Sequence, residues 1–198
     1  MIDFINPSLD QPYLIIKEKY GQAISKGQKN IEAIPISSYN NSRKEVDSRF
    51  VNLKCIENDN FIFFSNYNSS KSIDFASHSQ ISALIYWPVI NLQIRVKAKI
   101  KKTSTEYNQK YFAERSPKKN ALAISSSQSK PIYSYESVIE NYKQSLKSDV
   151  LNKCPDFWGG YSFTPYYFEF WEGHNSRLNK RDVYEKNGDN WNHFILQP

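Results

Sequence analysis

From Leu92 to Lys102 the chain alternates without interruption, with Leu, Ile, Val, Ala and Ile at one set of positions and Gln, Arg and Lys at the other. Period two over this length predicts a strand with one buried and one solvated face. "ISALIYW" is a continuous apolar run and predicts a central strand. "AIPISSY" and "RFVNLKCI" predict short strands on either side of a polar turn. "FIFFSN" follows "RFVNLKCI" after "ENDN", which predicts a hairpin. The C-terminal part returns to strands in "WGGYSFTPYYFEFWEG", "RDVYEK" and "WNHFILQP", the last two joined by an "NGDN" turn.

Helical periods interrupt these strands. In "QPYLIIKEKYGQAISKG" Pro12 suits a first turn and Gly27 an end, with Leu14, Ile15, Tyr20, Ala23 and Ile24 as the apolar face. "SSKSIDFASHS" predicts a short helix started by Ser69 or Ser70. Thr103 and Glu106 match a capping box opening "STEYNQKYFAER". "ALAISSSQSKPI" reads as a Ser-rich connection, and "SYESVIENYKQSLKS" as an amphipathic helix. No internal repeat is evident. Many strands with a few short helices predict a mainly β protein, a β-barrel decorated by helices.

Composition narrows the classes. A chain of 198 residues with 39% apolar content is long enough to bury a core, and aromatics at 15% supply much of it. The net charge of +6 favours anionic partners. Cys55 and Cys154 form no CxxC pair, and no charged-then-apolar leader opens the chain, so a reducing cytoplasm is expected. The longest apolar runs are strand-sized, so no membrane insertion is expected.

Most common chemistries lack their motifs. His78, His174 and His193 have no metal-ligand spacing, so no metal is expected. There is no GxSxG elbow, no P-loop and no GxGxxG, so a phosphate must be held by side chains. Candidate cations exist. Arg49 and Lys54 end "RFVNLK", on opposite faces if it is one strand. Ser69–Lys71 offers hydroxyls and a cation at a helix start. Tyr111 and Arg115 stand at i, i+4 on one helix face, with Lys118 and Lys119 beyond.

The ordered set "RFVNLK", "FFSNYNSSK", "LQIRV", "YFAER", "SSQS", "FWGGY", "FEFWEG" and "SRLNKRDVY" resembles the pyridoxamine (pyridoxine) 5′-phosphate oxidase family. The likeness covers roughly residues 30–198, leaving 1–29 as an N-terminal helical arm before the barrel domain. It implies a homodimeric FMN-binding split β-barrel with FMN at the subunit interface. The implied activity is oxidation of pyridoxamine or pyridoxine 5′-phosphate to pyridoxal 5′-phosphate, with oxygen as acceptor and no nucleic-acid partner.

The resemblance also implies roles by position. Arg49, Phe50, Val51, Asn52, Leu53 and Lys54 would line FMN, with Lys54 also reaching the substrate phosphate. Phe64, Ser65, Ser70, Lys71 and Gln93 would hold the flavin ring, ribityl chain and phosphate. Gln128, Ser129, Trp171 and Arg181 would complete that site from the partner subunit. Tyr111, Arg115 and Lys119 would bind the substrate phosphate. Arg177 and Asn179 would cover the pyridine ring as the catalytic pair, with Arg177 orienting the amine or alcohol.

The chain departs from the family pattern at several of these positions. Ser70 stands where Arg is usual, Lys119 where Ser is, and Asn179 where His is. Asn hydrogen-bonds but does not titrate near neutrality. "NALAI" replaces a Gly-containing stretch, and "FILQP" lacks the usual basic residue near its end. A flavin- or pyridoxal-phosphate-binding relative with little or no oxidase turnover therefore stays open. A nucleic-acid-binding barrel is a third reading, opposed by the scatter of cations through the family motifs.

Overall fold

The computed structural model describes residues 1–148 and 150–198. Its strands are β1 (Asp3–Ile5), β2 (Ala33–Asn40), β3 (Glu45–Asn52), β4 (Cys55–Glu57), β5 (Asn60–Asn66), β6 (Gln80–Trp87), β7 (Leu92–Lys102), β8 (Trp158–Glu172), β9 (Lys180–Asn187) and β10 (Asn190–Ile195). The helices are α1 (Gln11–Ser25), α2 (Ser70–Ser77), α3 (Thr105–Glu114), α4 (Pro117–Ser125) and α5 (Tyr135–Ser145). The strands form one sheet in the order β1-β4-β5-β8-β7-β6-β2-β3, with β9 beside β8 and β10 beside β9. Curled around its core, this sheet makes the expected split barrel.

β8 is the axis of the sheet. Its first half, Trp158–Phe163, pairs with β5, and its second half, Tyr167–Glu172, pairs with β9, while β7 runs along its other edge. The β7–β8 register slips at Lys97/Ala98, opposite Tyr167 and Pro165. Pro165 has no N–H to give the ladder, so a bulge is the natural accommodation there. β7 shows the alternation read from its sequence, with Leu92, Ile94, Val96, Ala98 and Ile100 buried. β6 lies inside the sheet order as expected, yet it is one-faced: Ile81, Ala83, Ile85 and Trp87 are buried and Tyr86 is exposed.

Aromatic rings fill the core. Phe61 stacks on Phe163 at 5.2 Å, and Phe63 on Tyr161 at 5.7 Å. Tyr13 of α1 meets Phe168 edge-on at 5.4 Å, so the first helix shares the core of the sheet. Truncating one such ring to Ala would cost about 3–5 kcal/mol.

Several local expectations shift. The core-facing residues of α1 are Tyr13, Ile16 and Ala23, with Ile15 and Tyr20 packed against them as expected; Leu14 and Ile24 are exposed. The i, i+3, i+7, i+10 spacing wins because it sets Tyr13 on the sheet. Gly27 ends the helix as expected, at φ 77° with Gly27 N–H on Ile24 O and Gln28 N–H on Ala23 O. This is the left-handed Schellman closure that glycine permits. Ser104, not Thr103, caps α3 by accepting Tyr107 N–H; the Thr103 hydroxyl instead bonds Asn108 and Gly160. "ALAIS" is not loop but the end of α4, opened by Pro117.

"RFVNLKCI" is not one strand. β3 ends at Asn52 and β4 begins at Cys55, because Leu53 N–H bonds Glu32 O while Lys54 N–H bonds Ile62 O. The chain thus passes from one neighbour to another at this point. The expected hairpin forms only between β4 and β5.

Candidate active site

The break at Leu53–Lys54 opens one side of a cleft of about 650 Å³, a volume suited to a small-molecule ligand. Phe50, Val51, Asn52 and Lys54 line it from this side, Phe64 and Ser65 from β5, and Lys71 from α2. Tyr111, Arg115 and Lys119 come from α3 and the segment after it, and Trp158 from the start of β8. Gln128 also lies in this chain's own cleft, where its Oε1 accepts the Ser65 hydroxyl (3.2 Å) and Asn66 N–H (3.3 Å). The cleft therefore gathers the two groups of candidate phosphate ligands that lie in separate segments of the sequence.

Its charge is unbalanced, with Lys54, Lys71, Arg115 and Lys119 in the lining against one carboxylate, Glu114. Lys71 is only 7% exposed, and its ammonium donates to Ser65 Oγ and Ser69 Oγ, each at 3.1 Å. Among the described residues no carboxylate pairs with it. Burial, helped by the Arg49 charge, pushes its pKa down to about 8. Lys54 is lowered by burial and then by the charges of Lys119 and Arg115, with Glu32 opposing. Arg115 is lowered by burial, and burial raises Tyr111. Cations that repel one another in a half-closed cleft are relieved by an anion, and no internal one is supplied to Lys71.

Arg49 points elsewhere. Its guanidinium contacts Ser38 Oγ (2.6 Å), Asp47 (2.8 Å) and Asp74 (3.1 Å). Asp74, fully buried in α2, also accepts Ser38 Oγ, Asn40 Nδ2 and Arg43 Nη2. Burial alone would raise its carboxyl; the bonds from Asn40 and Ser38 and the two arginines outweigh that and lower it. Leu53 is fully buried in the core and does not line the cleft, unlike its neighbours Asn52 and Lys54. Ser70 Oγ and Ser129 Oγ stand 3.3 Å apart, joining the start of α2 to the loop after α4, with Ser129 at φ 70°.

The remaining candidates form a second cluster. Gln93 is opposite Trp171 in the β7–β8 ladder, and Trp171 is opposite Arg181 in the β8–β9 ladder. Directly opposite residues share a face, so these three side chains stand in a row. Arg181 is held by Glu169, at 2.9 Å from Nε and 2.8 Å from Nη2, and donates to Gln197 O. Glu169 is 1% exposed and also binds Arg95 at 2.7 Å and the Tyr167 hydroxyl at 3.1 Å. Arg177 (φ 61°) lies in the exposed turn before β9, where Asn179 Oδ1 accepts His174 N–H at 3.0 Å.

The two clusters sit at opposite ends of β8. Trp158 and Trp171 bound a span of roughly 40 Å of strand contour at about 3.3 Å per residue. None of Gln93, Trp171, Arg177, Asn179 and Arg181 lines the cleft of this chain.

Sequence reasoning gave no role to Asp74, Glu169 or Trp158. The carboxylates carry no local signal, since what marks them is burial among arginines from other strands. Trp158 did carry one, in the "FWGG" motif.

Residues 158–198 match the family described as "Pyridoxine 5'-phosphate oxidase C-terminal dimerisation region". The pyridoxine/pyridoxamine 5′-phosphate oxidase of Cytophaga hutchinsonii is 38% identical over 89% of this chain and 84% of its own length. That of Legionella pneumophila is 37% identical over 77% of this chain and 72% of its own. Among solved structures, PhzG from Burkholderia lata, in complex with tetrahydrophenazine-1-carboxylic acid, superimposes with a TM-score of 0.90 at 24% identity over 96% of this chain and 93% of its own. A pyridoxamine 5′-phosphate oxidase-related, FMN-binding protein from Nostoc punctiforme gives 0.77 at 12% identity, over 92% of this chain and 97% of its own. The two structures support the shared fold.

Proposed function

This chain belongs to the pyridoxine/pyridoxamine 5′-phosphate oxidase family, and from that premise we propose that it oxidises pyridoxamine or pyridoxine 5′-phosphate to pyridoxal 5′-phosphate. The alcohol loses two hydrogens at C4′ to become the aldehyde. The amine loses the same two to give an imine, which water hydrolyses to aldehyde and ammonia. Bound FMN supplies the two-electron acceptor, with oxygen reduced to hydrogen peroxide in turn. The observation that carries the reading is Lys71: a buried ammonium held only by two hydroxyls, in a cleft of flavin-compatible volume.

The residues fit that cofactor. Lys71, Ser65, Ser70 and Ser129 would hold its phosphate and ribityl chain, with Arg49 adding charge from its Asp74 clamp. Phe50, Val51, Asn52, Phe64 and Gln128 would frame the ring, with Leu53 acting only from the core beneath them. Lys54, Tyr111, Arg115 and Lys119 bind the substrate phosphate and so fix C4′ against the acceptor, which is the proximity contribution.

Gln93, Trp171, Arg177, Asn179 and Arg181 serve the cleft of a second copy in a homodimer. The separation along β8 supports that division, as does the match of 158–198 to a dimerisation region. Arg177 orients the amine or alcohol, its planar guanidinium matched to a heteroaromatic ring. No side chain has to act as a nucleophile.

The test is direct. Purified protein should be yellow and dimeric, consume oxygen with either substrate, and accumulate pyridoxal 5′-phosphate. A protein that binds FMN yet turns over neither substrate would favour the non-oxidase reading. That reading has one supporting observation: where the family usually has Arg, Ser70 makes only a neutral contact with Ser129.

A further inference from the structure

The "FWGG" motif has no part in the chemistry above, yet its Trp158 lines the cleft. Trp158 is 6% exposed, and its ring lies nearly parallel to Phe64 (8°, 5.1 Å). Phe64 is in turn stacked on Tyr111 (9°, 3.7 Å). Phe112 abuts the indole edge-on at 4.8 Å. On the indole lies the Arg115 guanidinium, its Cζ 4.4 Å from the ring centroid.

Arg115 needs such a support. It is the residue that ends α3, with extended backbone (φ −76°, ψ 154°), so the helix does not hold its side chain. It has no carboxylate partner among the described residues. Nη2 makes one long bond to Lys119 O at 3.4 Å, and Nη1 is shut off from solvent without an acceptor among the described residues. A flexible cation is being held by a ring face and not by a counter-ion among the described residues, which leaves its charge for a ligand to neutralise.

The two glycines lock the platform to the helix. A Cβ on Gly159 would collide with the Tyr67 hydroxyl and Asn108, and one on Gly160 would lie 2.5 Å from Thr103 Oγ1. Because both are absent, Asn108 of α3 accepts Gly160 N–H (2.8 Å) and donates to Tyr67 Oη (3.0 Å). The strand that carries Trp158 therefore also anchors the helix that carries Tyr111 and Arg115.

We propose that Trp158 is the positioning residue for Arg115, holding its guanidinium by stacking so that it meets the substrate's phosphate preorganised. The role of that phosphate rests on the function proposed above; the stacking does not. Trp158 lies behind Arg115 and Phe64 in the cleft wall and bears on the substrate phosphate through Arg115.

The test compares FMN-loaded Trp158→Leu and Trp158→Phe with the wild type. Trp158→Leu should raise the Kd for pyridoxamine 5′-phosphate about tenfold, and Trp158→Phe, which keeps a π face, should raise it less, as expected for a partly desolvated cation–π contact. Kd for unphosphorylated pyridoxamine should change far less than Kd for the phosphate ester in both. The Arg115 Nε–H resonance, assigned by its loss in Arg115→Lys, should be ring-current shifted in the wild type and not in Trp158→Leu. Equal losses in both variants, or a normal Arg115 resonance in the wild type, would overturn the proposal. If the wild type binds no pyridoxamine phosphate, the proposed function fails instead. The stacking is then judged by titrating inorganic phosphate against the Arg115 resonance: unchanged affinity in Trp158→Leu refutes it, and weakened affinity supports it.

Discussion

Lys71 Nζ lies 3.1 Å from Ser65 Oγ, in a pocket that buries the ammonium and offers it hydroxyls but no carboxylate among the described residues. Burial of an unpaired charge costs stability, and the cost is tolerated where a ligand later supplies the opposite charge. A stability measurement and a binding measurement should therefore move in opposite directions when this residue is changed.

Lys71→Met should stabilise the flavin-free protein by about 1–3 kcal/mol at neutral pH while abolishing most FMN affinity. The folded pKa of about 8 lies below the ordinary 10.5. The penalty is thus present in full below about 8 and fades as pH rises toward 10.5, where the folded protein has shed a proton that the unfolded chain keeps. Thermal melts of both proteins across that range should converge. A less stable Met variant at neutral pH would contradict this account.

FMN affinity of the wild type should fall as pH rises above about 8, because the dianion binds the protonated ammonium. Flavin-fluorescence titrations at several pH values measure this. Lys71→Arg should remove the decline, since a guanidinium stays charged across that range.

Glu169→Gln removes the buried carboxylate that holds both Arg95 and Arg181. Replacing charged hydrogen bonds by neutral ones there should destabilise the fold by about 1–3 kcal/mol. With Arg181 no longer fixed, FMN should be retained less well. Unchanged flavin content in the purified variant would detach Arg181 from the cofactor.

Arg115→Ala should weaken substrate binding by about 1.5–3 kcal/mol with FMN content unchanged. Loss of FMN with intact substrate affinity would mean that the two phosphate positions in the cleft are exchanged.

Asn179→His should raise substrate affinity or turnover without changing the flavin spectrum, since an imidazole adds ring area and a titratable donor. The variant gives up the Asn179 bond to His174 N–H, which costs the turn little because it is exposed. A change in FMN retention would instead assign Asn179 to the flavin.

Much of this was present in the order of residues alone. The alternation from Leu92 to Lys102, the Gly188 turn between β9 and β10, and Gly27 at the end of α1 are local: each depends on a side-chain period or a positive φ within a few residues. The family-like motifs were equally legible, because they are runs of residue types at set spacing. Tertiary structure decided which charges meet. Arg49 and Asp74 are separated in sequence by a strand break and by β4 and β5, and whether Arg49 faces a carboxylate or a ligand depends on how β2, β3 and α2 pack. Likewise, Gln93, Trp171 and Arg181 become neighbours only through the register of three strands, and Trp158 lies far from them because β8 is long and continuous. Period encodes the face a residue presents, whereas pairing across strands is set by the non-local ladder that no single segment specifies.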